Sequence, residues 1–337
     1  MSAVRVGVVG CGLIGTRRAR VAAQHPGTTV EVVVDVREEA ARALAAEVGC
    51  RWSTEWRRCV TGPDVDVIIA STPNAELLPV ASAALQAGKS VLIEKPMGRN
   101  LGEALQLQRL AAESRGRLKV GFNHRHHPAI RGMLRVLAER AIGPVINARA
   151  RYGHGGRPGY ETEWRGDPQR AGGGELTDQG VHVVDLLQCI NGRPREVFCM
   201  TQTAVWPVTP LEDNGFALLR YASGAVACFH TSWTQWKNVF SLEVFGTDGY
   251  LTVEGLGGSY GTETLTLGRR RHDGRAPDIQ QEAFPGPDES WTHEWAEFVE
   301  AIISGGPYQG TPTEGVQVMQ TLDALYQSAR TGSVVAL

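Results

Sequence analysis

Over the first third of the chain, short runs of valine, isoleucine and leucine alternate with longer Ala-rich stretches whose apolar positions recur at helical spacing. The runs at 4–9, 30–34, 65–70, 90–93 and 118–122 predict buried strands, and the stretches at 13–24, 38–48, 77–87 and 101–114 predict helices. Regular strand-helix-strand succession predicts a parallel doubly wound sheet, hence an α/β fold. Ligands of such sheets sit beyond the carboxyl ends of the strands. After Pro128 the rhythm changes. A helix at 129–140, a strand at 145–152, a Gly-rich loop at 153–174 and a helix at 176–189 precede six consecutive strands, 195–205, 213–221, 225–233, 238–246, 249–256 and 262–268. These read as an antiparallel meander, with Ser223-Gly224 and Asp248-Gly249 as hairpin signals. Residues 273–287 read as a loop, and amphipathic helices at 291–304 and 312–331 follow. The expected division falls between a doubly wound domain over 1–123 and a second, α+β domain over 124–337.

Length and composition agree with two domains, since 337 residues with 42% hydrophobic content can bury two sizeable cores. The balance of 34 basic and 36 acidic residues argues against a nucleic-acid or membrane-surface binder and favours a small-molecule partner. No apolar stretch approaches the roughly 20 residues that cross a bilayer, so a cytoplasmic location is expected. Six scattered cysteines, without a C-x-x-C pair, read as reduced packing residues, and no metal site is expected.

The chemistry begins at Gly10-Cys11-Gly12-Leu13-Ile14-Gly15, which follows the first strand directly. Gly10 allows a tight turn, Gly12 lets backbone N–H groups approach a pyrophosphate, and Gly15 lets the next helix lie close to the sheet. Leu13 and Ile14 open that helix, whose positive end suits phosphate. Asp35 closes the second strand, where a carboxylate accepts hydrogen bonds from an adenosine ribose and repels a 2′-phosphate, so NAD is expected over NADP. Arg37, two residues on, is the one feature that would suit the phosphate.

Three further strand ends carry suggestive residues, Ser71-Thr72-Pro73-Asn74, Glu94-Lys95-Pro96 and Asn123 with His124-Arg125. Thr72, Asn74, Glu94, Lys95 and Asn123 are therefore candidates for the cofactor, and Lys95 and Asn123 for the substrate too. Only four lysines stand against thirty arginines, so Lys95 at a site of chemistry stands out: arginine cannot lose its proton there. Asp178 and His182 lie four apart at the start of a helix, after Gly172-Gly173-Gly174. Such a pair suits proton transfer, the acid orienting the imidazole. A helix-capping Asp and a core His are the plainer alternative. Residues 152–170 mix His154, Arg157, Tyr160, Glu161, Glu163, Trp164, Arg165 and Asp167, able to stack on a pyranose and bond its hydroxyls. Glu212 and Asp213 would suit an amino sugar, whereas Arg157, Arg165 and Arg170 would suit a sugar nucleotide. Trp233 and Trp236 read equally as interface or as core.

Taken together, Gly10-x-Gly12-x-x-Gly15, Glu94-Lys95-Pro96 and Gly173-Gly174-x-x-x-Asp178-x-x-x-His182 resemble the Gfo/Idh/MocA family of nicotinamide-dependent oxidoreductases, in family order. The resemblance implies an N-terminal Rossmann domain and a C-terminal domain with an open, mostly antiparallel sheet, often the contact of homodimers or homotetramers. It implies a sugar or cyclitol substrate, a catalytic set of Lys95, Asp178 and His182, and Trp164 and Arg165 near cofactor and substrate; Tyr160 is a further substrate candidate on the composition of its segment. The expected activity is hydride transfer between NAD and a secondary ring hydroxyl of a sugar, aminoglycoside, nucleotide sugar or cyclitol. A redox-neutral, NAD-retaining glycosidase and a non-catalytic NAD-binding sugar sensor are the alternatives.

Overall fold

Residues 3–337 are described by a computed structural model, in which the early apolar runs become strands β1 (Val4–Val9), β2 (Thr28–Val34), β3 (Arg51–Ser53), β4 (Val67–Ala70), β5 (Ser90–Glu94) and β6 (Leu118–Gly121). All pair in parallel, in the order β3-β2-β1-β4-β5-β6. The order reverses between β1 and β4, and a reversal of this kind opens a ligand crevice at the strand carboxyl ends. Helices α1 (Leu13–Gln24), α2 (Glu38–Val48), α3 (Trp56–Thr61), α4 (Asn74–Gln86) and α5 (Leu101–Glu113) connect the strands. Val6, Val8, Ile68, Ile69, Leu92 and Ile93 are fully buried, as strands covered on both faces require. Neither β3 nor α3 was expected: both are short, and β3 leaves Arg51 and Trp52 exposed, so neither shows a hydrophobic period.

A 3-10 turn (Asn123–His126), α6 (Pro128–Ala138), β7 (Val145–Gly153) and α7 (Pro168–Ala171) follow. A π-helical turn (Leu176–Gly180) then runs into α8 (Val181–Asn191). The remaining elements are β8 (Pro194–Gln202), β9 (Asn214–Tyr221), β10 (Val226–Ser232), β11 (Val239–Gly246), β12 (Gly249–Glu254), β13 (Glu263–Arg269), β14 (Asp278–Phe284), α9 (Ser290–Ser304), α10 (Pro312–Thr331) and β15 (Val335–Ala336). The second sheet has nine strands in the order β14-β13-β12-β11-β7-β10-β9-β8-β15. It is not the simple meander expected, because β7 lies between β10 and β11, parallel to the first and antiparallel to the second. Alternating burial marks a strand without naming its neighbours. The expected loop at 273–287 contains β14, an exposed edge strand held by backbone pairing to β13, with no apolar alternation to betray it.

Two compact units result. The first comprises the residues up to Phe122 together with Gln169–Gly172 and Trp291–Met319; the second comprises Asn123–Pro168, Gly173–Ser290 and Gln320–Leu337. A single division at 123/124 thus misses the return of the chain, in which Trp295, Phe298 and Val299 enter the core formed by β1, β2, α1 and α2. Among the described residues no helix is long and apolar enough to cross a membrane.

Candidate active site

In the first unit the glycine loop is shaped by close packing. Gly10 has φ +96°, and a Cβ there would stand 2.4 Å from the Ser71 carbonyl oxygen. A Cβ at Gly15 would fall 1.7 Å from the Gly10 oxygen, so α1 can lie this near the loop only with glycine. At Gly12 a Cβ would meet no protein atom within 4 Å, so protein packing does not demand glycine there. Close approach of a phosphate to the backbone does. Leu13, at the first turn of α1, is 81% exposed, and Ile14 is half-buried. Asp35 follows β2, and its carboxylate accepts from the Cys11 N–H at 2.8 Å and from the Arg37 N–H at 2.9 Å. Burial alone would raise this carboxyl, but the hydrogen bonds of Arg37 and Cys11 hold it below the ordinary carboxylate range. Arg37 also donates its Nε to Asp35 at 3.2 Å, so the group that would suit a 2′-phosphate is engaged with the residue that repels one. Beyond β4 the Ser71 and Thr72 hydroxyls are buried without a protein hydrogen-bond partner. These features fit a bound dinucleotide. Asn74, opening α4, spends its amide N–H on the Ala171 carbonyl at 2.8 Å.

Glu94 ends β5 just before Lys95. Its carboxylate is held by the Arg18 guanidinium, with contacts of 2.8 and 2.7 Å, and Arg18 also pairs with Glu294. Arg18 is 1% exposed and packs on the Trp291 ring. Burial pushes the Glu94 carboxyl up, Arg18 pulls it down and Glu294 adds to the rise, the net direction being upward.

In the second unit the expected continuous α-helix begins as a π turn that contains Asp178, and His182 follows in α8. Departures of this type are frequent at functional sites. His182 is 4% exposed, and its ring stacks on His124, with centroids 3.7 Å apart and planes 15° from parallel. Asp178 accepts from Arg165 Nε at 3.3 Å. Asn123 donates its amide to Ser290 Oγ at 3.0 Å. The loop after β7 satisfies much of its own charge: Arg157 grips Glu163 through two bonds of 2.8 Å and covers the Tyr160 ring, while Arg165 lies over Trp164. Tyr160 itself is buried, its ring set edge-on to Trp233.

Glu212 and Asp213 are not ligands for an amino group. Glu212 accepts from Leu176 N–H at 2.9 Å, Gly174 N–H at 3.3 Å and the Tyr326 hydroxyl at 2.7 Å, and burial, opposed by those bonds, raises its carboxyl. Asp213 accepts from the N–H groups of Ala204, Val205 and Trp206. Both carboxylates tie down backbone instead. The glycine run likewise serves the protein: a Cβ at Gly174 would stand 2.2 Å from the Glu212 oxygen. Trp233 is a fully buried core residue, whereas Trp236 is exposed. The histidine run splits, with His124 bonded to Asn123 and Tyr152 and His127 to Glu263. The sequence reading passed over the His124 stack, the Arg18 pair and the Glu212 anchor. An arginine on the buried face of α1, where the period calls for an apolar residue, was the one available signal.

Comparison with known proteins agrees with this geometry. Residues 4–122 match the model of the oxidoreductase family with an NAD-binding Rossmann fold, and residues 130–252 match the GFO/IDH/MocA C-terminal domain. The 1,5-anhydro-D-fructose reductase of Ensifer adhaerens is 30% identical over 99% of this chain and 98% of its own. Levoglucosan dehydrogenase of Pseudarthrobacter phenanthrenivorans is 25% identical, over 98% of this chain and 97% of its own. Among solved structures, GenD2 from gentamicin A biosynthesis in complex with NAD superposes with a TM-score of 0.86 at 28% identity, covering 100% of this chain and 97% of its own.

Proposed function

Because this chain belongs to the GFO/IDH/MocA family of NAD-binding oxidoreductases, we propose that it oxidises a secondary ring hydroxyl of a sugar, aminoglycoside, nucleotide sugar or cyclitol to the ketone, or runs the reverse reduction. The observation that carries this reading is the buried imidazole of His182 at the head of α8, in a chain whose first unit is shaped for NAD. Bound NAD supplies the hydride acceptor. Of the chain's own groups, His182 exchanges the hydroxyl proton, Lys95 hydrogen-bonds the same oxygen and stabilises its negative charge, and Asp178 orients the imidazole. Thr72 and Asn74 flank the cofactor, and Asn123, Tyr160, Trp164 and Arg165 shape the substrate's surroundings.

The test is NADH formation by the purified protein across cyclitols, free sugars, levoglucosan, 1,5-anhydro sugars, nucleotide sugars and aminoglycosides, with NADP in a parallel arm. We expect turnover with NAD, little with NADP, and a narrowed preference in Asp35→Ser, because that change removes the charge that repels a 2′-phosphate. Silence across the panel, with NAD shown to bind, would overturn the dehydrogenase in favour of the redox-neutral glycosidase or the sensor.

We further infer a homodimer or homotetramer. Met200, Phe216, Leu218 and Val226 are exposed on one face of the second sheet, beside a groove of ≈ 630 Å³ lined by Phe198, Met200, Phe216 and Leu218. A contiguous apolar patch of this kind marks a contact surface. Light scattering should give a multiple of 36.4 kDa, and a monomeric mass would contradict the assignment.

A further inference from the structure

We propose that His124 is a positioning residue that directs the one charge-bearing proton of a stacked imidazole pair onto His182, because Tyr152 and Asn123 hold His124 as the neutral Nδ1–H tautomer. The inference rests on the reading of His182 as the proton-exchanging group, and adds to it the element that decides where the charge sits.

A chain of one-way hydrogen bonds fixes the tautomer. The Asp288 carboxylate can only accept, so Ser290 Oγ donates to it, at 2.6 Å. The Ser290 oxygen therefore accepts from Asn123 Nδ2 at 3.0 Å, which turns Asn123 Oδ1 toward His124 Nδ1 at 3.2 Å. An amide oxygen only accepts, so the hydrogen of His124 is on Nδ1. In the neutral ring the other nitrogen, Nε2, is then an acceptor, and the Tyr152 hydroxyl at 3.0 Å is its donor. Tyr152 keeps its proton, since burial first and then the neighbouring Tyr260 hydroxyl, with which it also shares a hydrogen bond, lift it well above the ordinary range. Both ring nitrogens of His124 are thereby occupied, without a charge.

The ring above it is His182. Two imidazolium rings with centroids 3.7 Å apart would repel strongly, so the pair carries one positive charge at most. Placing it on His124 would require the Tyr152 hydroxyl to turn away from Nε2. The charge therefore falls on His182, above a neutral aromatic face that favours a cation. The ionisable groups about the pair include Glu175 and Asp178 before and within the π turn, the Arg125–Asp185 ion pair at 2.5 Å, the two tyrosines, and His127, which meets the His124 ring edge-on at 5.6 Å and is bonded to Glu263 at 3.1 Å. Arg125 and Asp185 offset one another, and the two acids favour charge on whichever imidazole is open to it.

The test is a ¹⁵N NMR titration of the histidine rings in the full-length protein. In the wild type, His182 should titrate in one step while His124 keeps the Nδ1–H signature throughout. In Tyr152→Phe, which frees Nε2, the single step should be shared, with both rings responding to it. His124→Phe keeps the neutral face, and its His182 midpoint should stay within about half a pH unit of wild type. Titration of His124 with or before His182 in the wild type would overturn the proposal, as would unchanged titrations in Tyr152→Phe. A His182 midpoint raised by more than about one unit in His124→Phe would also overturn it, since it would show that His124 had been the charged ring. The titration reads the imidazoles directly and stands whether or not His182 moves the substrate's proton. That separate question is answered by the turnover of His182→Ala.

Discussion

Alanine at His182 is expected to lower turnover by about 10²–10⁴-fold, the range that one positioned proton-transfer group supplies. The deficit should be in kcat, because the group acts on a proton that is free to move only as the carbon–hydrogen bond breaks. NADH binding, followed by fluorescence, should survive, since the glycine loop and Asp35 belong to the first unit and His182 to the second. His182 is buried, so the variant's melting curve belongs beside its kinetics: a folded, NADH-binding, inactive protein is the expected result. Near wild-type turnover in that protein would remove His182 from the mechanism.

Arg18→Met should destabilise the first unit by about 3–5 kcal/mol, the cost of breaking a buried ion pair from one side. Glu94 and Glu294 would remain buried and close without the guanidinium that compensates both. The loss should depend on pH, with a definite sign. Glu94 already has a carboxyl raised by burial, and removing Arg18 raises it further. A carboxyl whose folded pKa exceeds its unfolded one binds more protons when folded, so its contribution to stability is present at low pH and is lost as pH rises through the folded value. The variant should therefore recover part of its deficit on acidification from neutral pH toward the ordinary carboxylate range. A urea midpoint lowered equally at all pH values would show that Arg18 stabilises through its packing on Trp291 instead.

Much of the first unit was legible because its signals are local. β1, α1, α2 and α10 begin and end where the sequence places them, since a change of period coincides with a backbone marker such as Gly12 ahead of α1 or Gly49, at φ +75°, after α2. Strand order in the second sheet was not legible, because β7 is inserted between strands that follow it in the chain and no residue in β7 encodes that choice. At the site, the sequence names candidate residues but not the partners that hold them. Glu212 and Asp213 look from sequence like solvent-facing acids near a sugar, and only the fold shows their oxygens spent on backbone N–H groups. His124 reads in the sequence only as a neighbour of Asn123, and its stacking on a residue 58 positions later needs the three-dimensional arrangement to be seen.

The return of the chain to its first unit has a consequence for synthesis. A ribosome that has released the segment up to Phe122 has delivered every strand of the parallel sheet, yet Trp295 and Phe298, which fill its core, and Glu294, which shares Arg18, are still unmade. The general tendency of amino-terminal domains to finish folding early in translation is therefore expected to fail for this one. Until Trp291–Met319 emerges Arg18 lacks one of its two carboxylate partners, and by then almost the whole of the second unit has been made. The unit that holds the cofactor is thus the first begun and among the last completed.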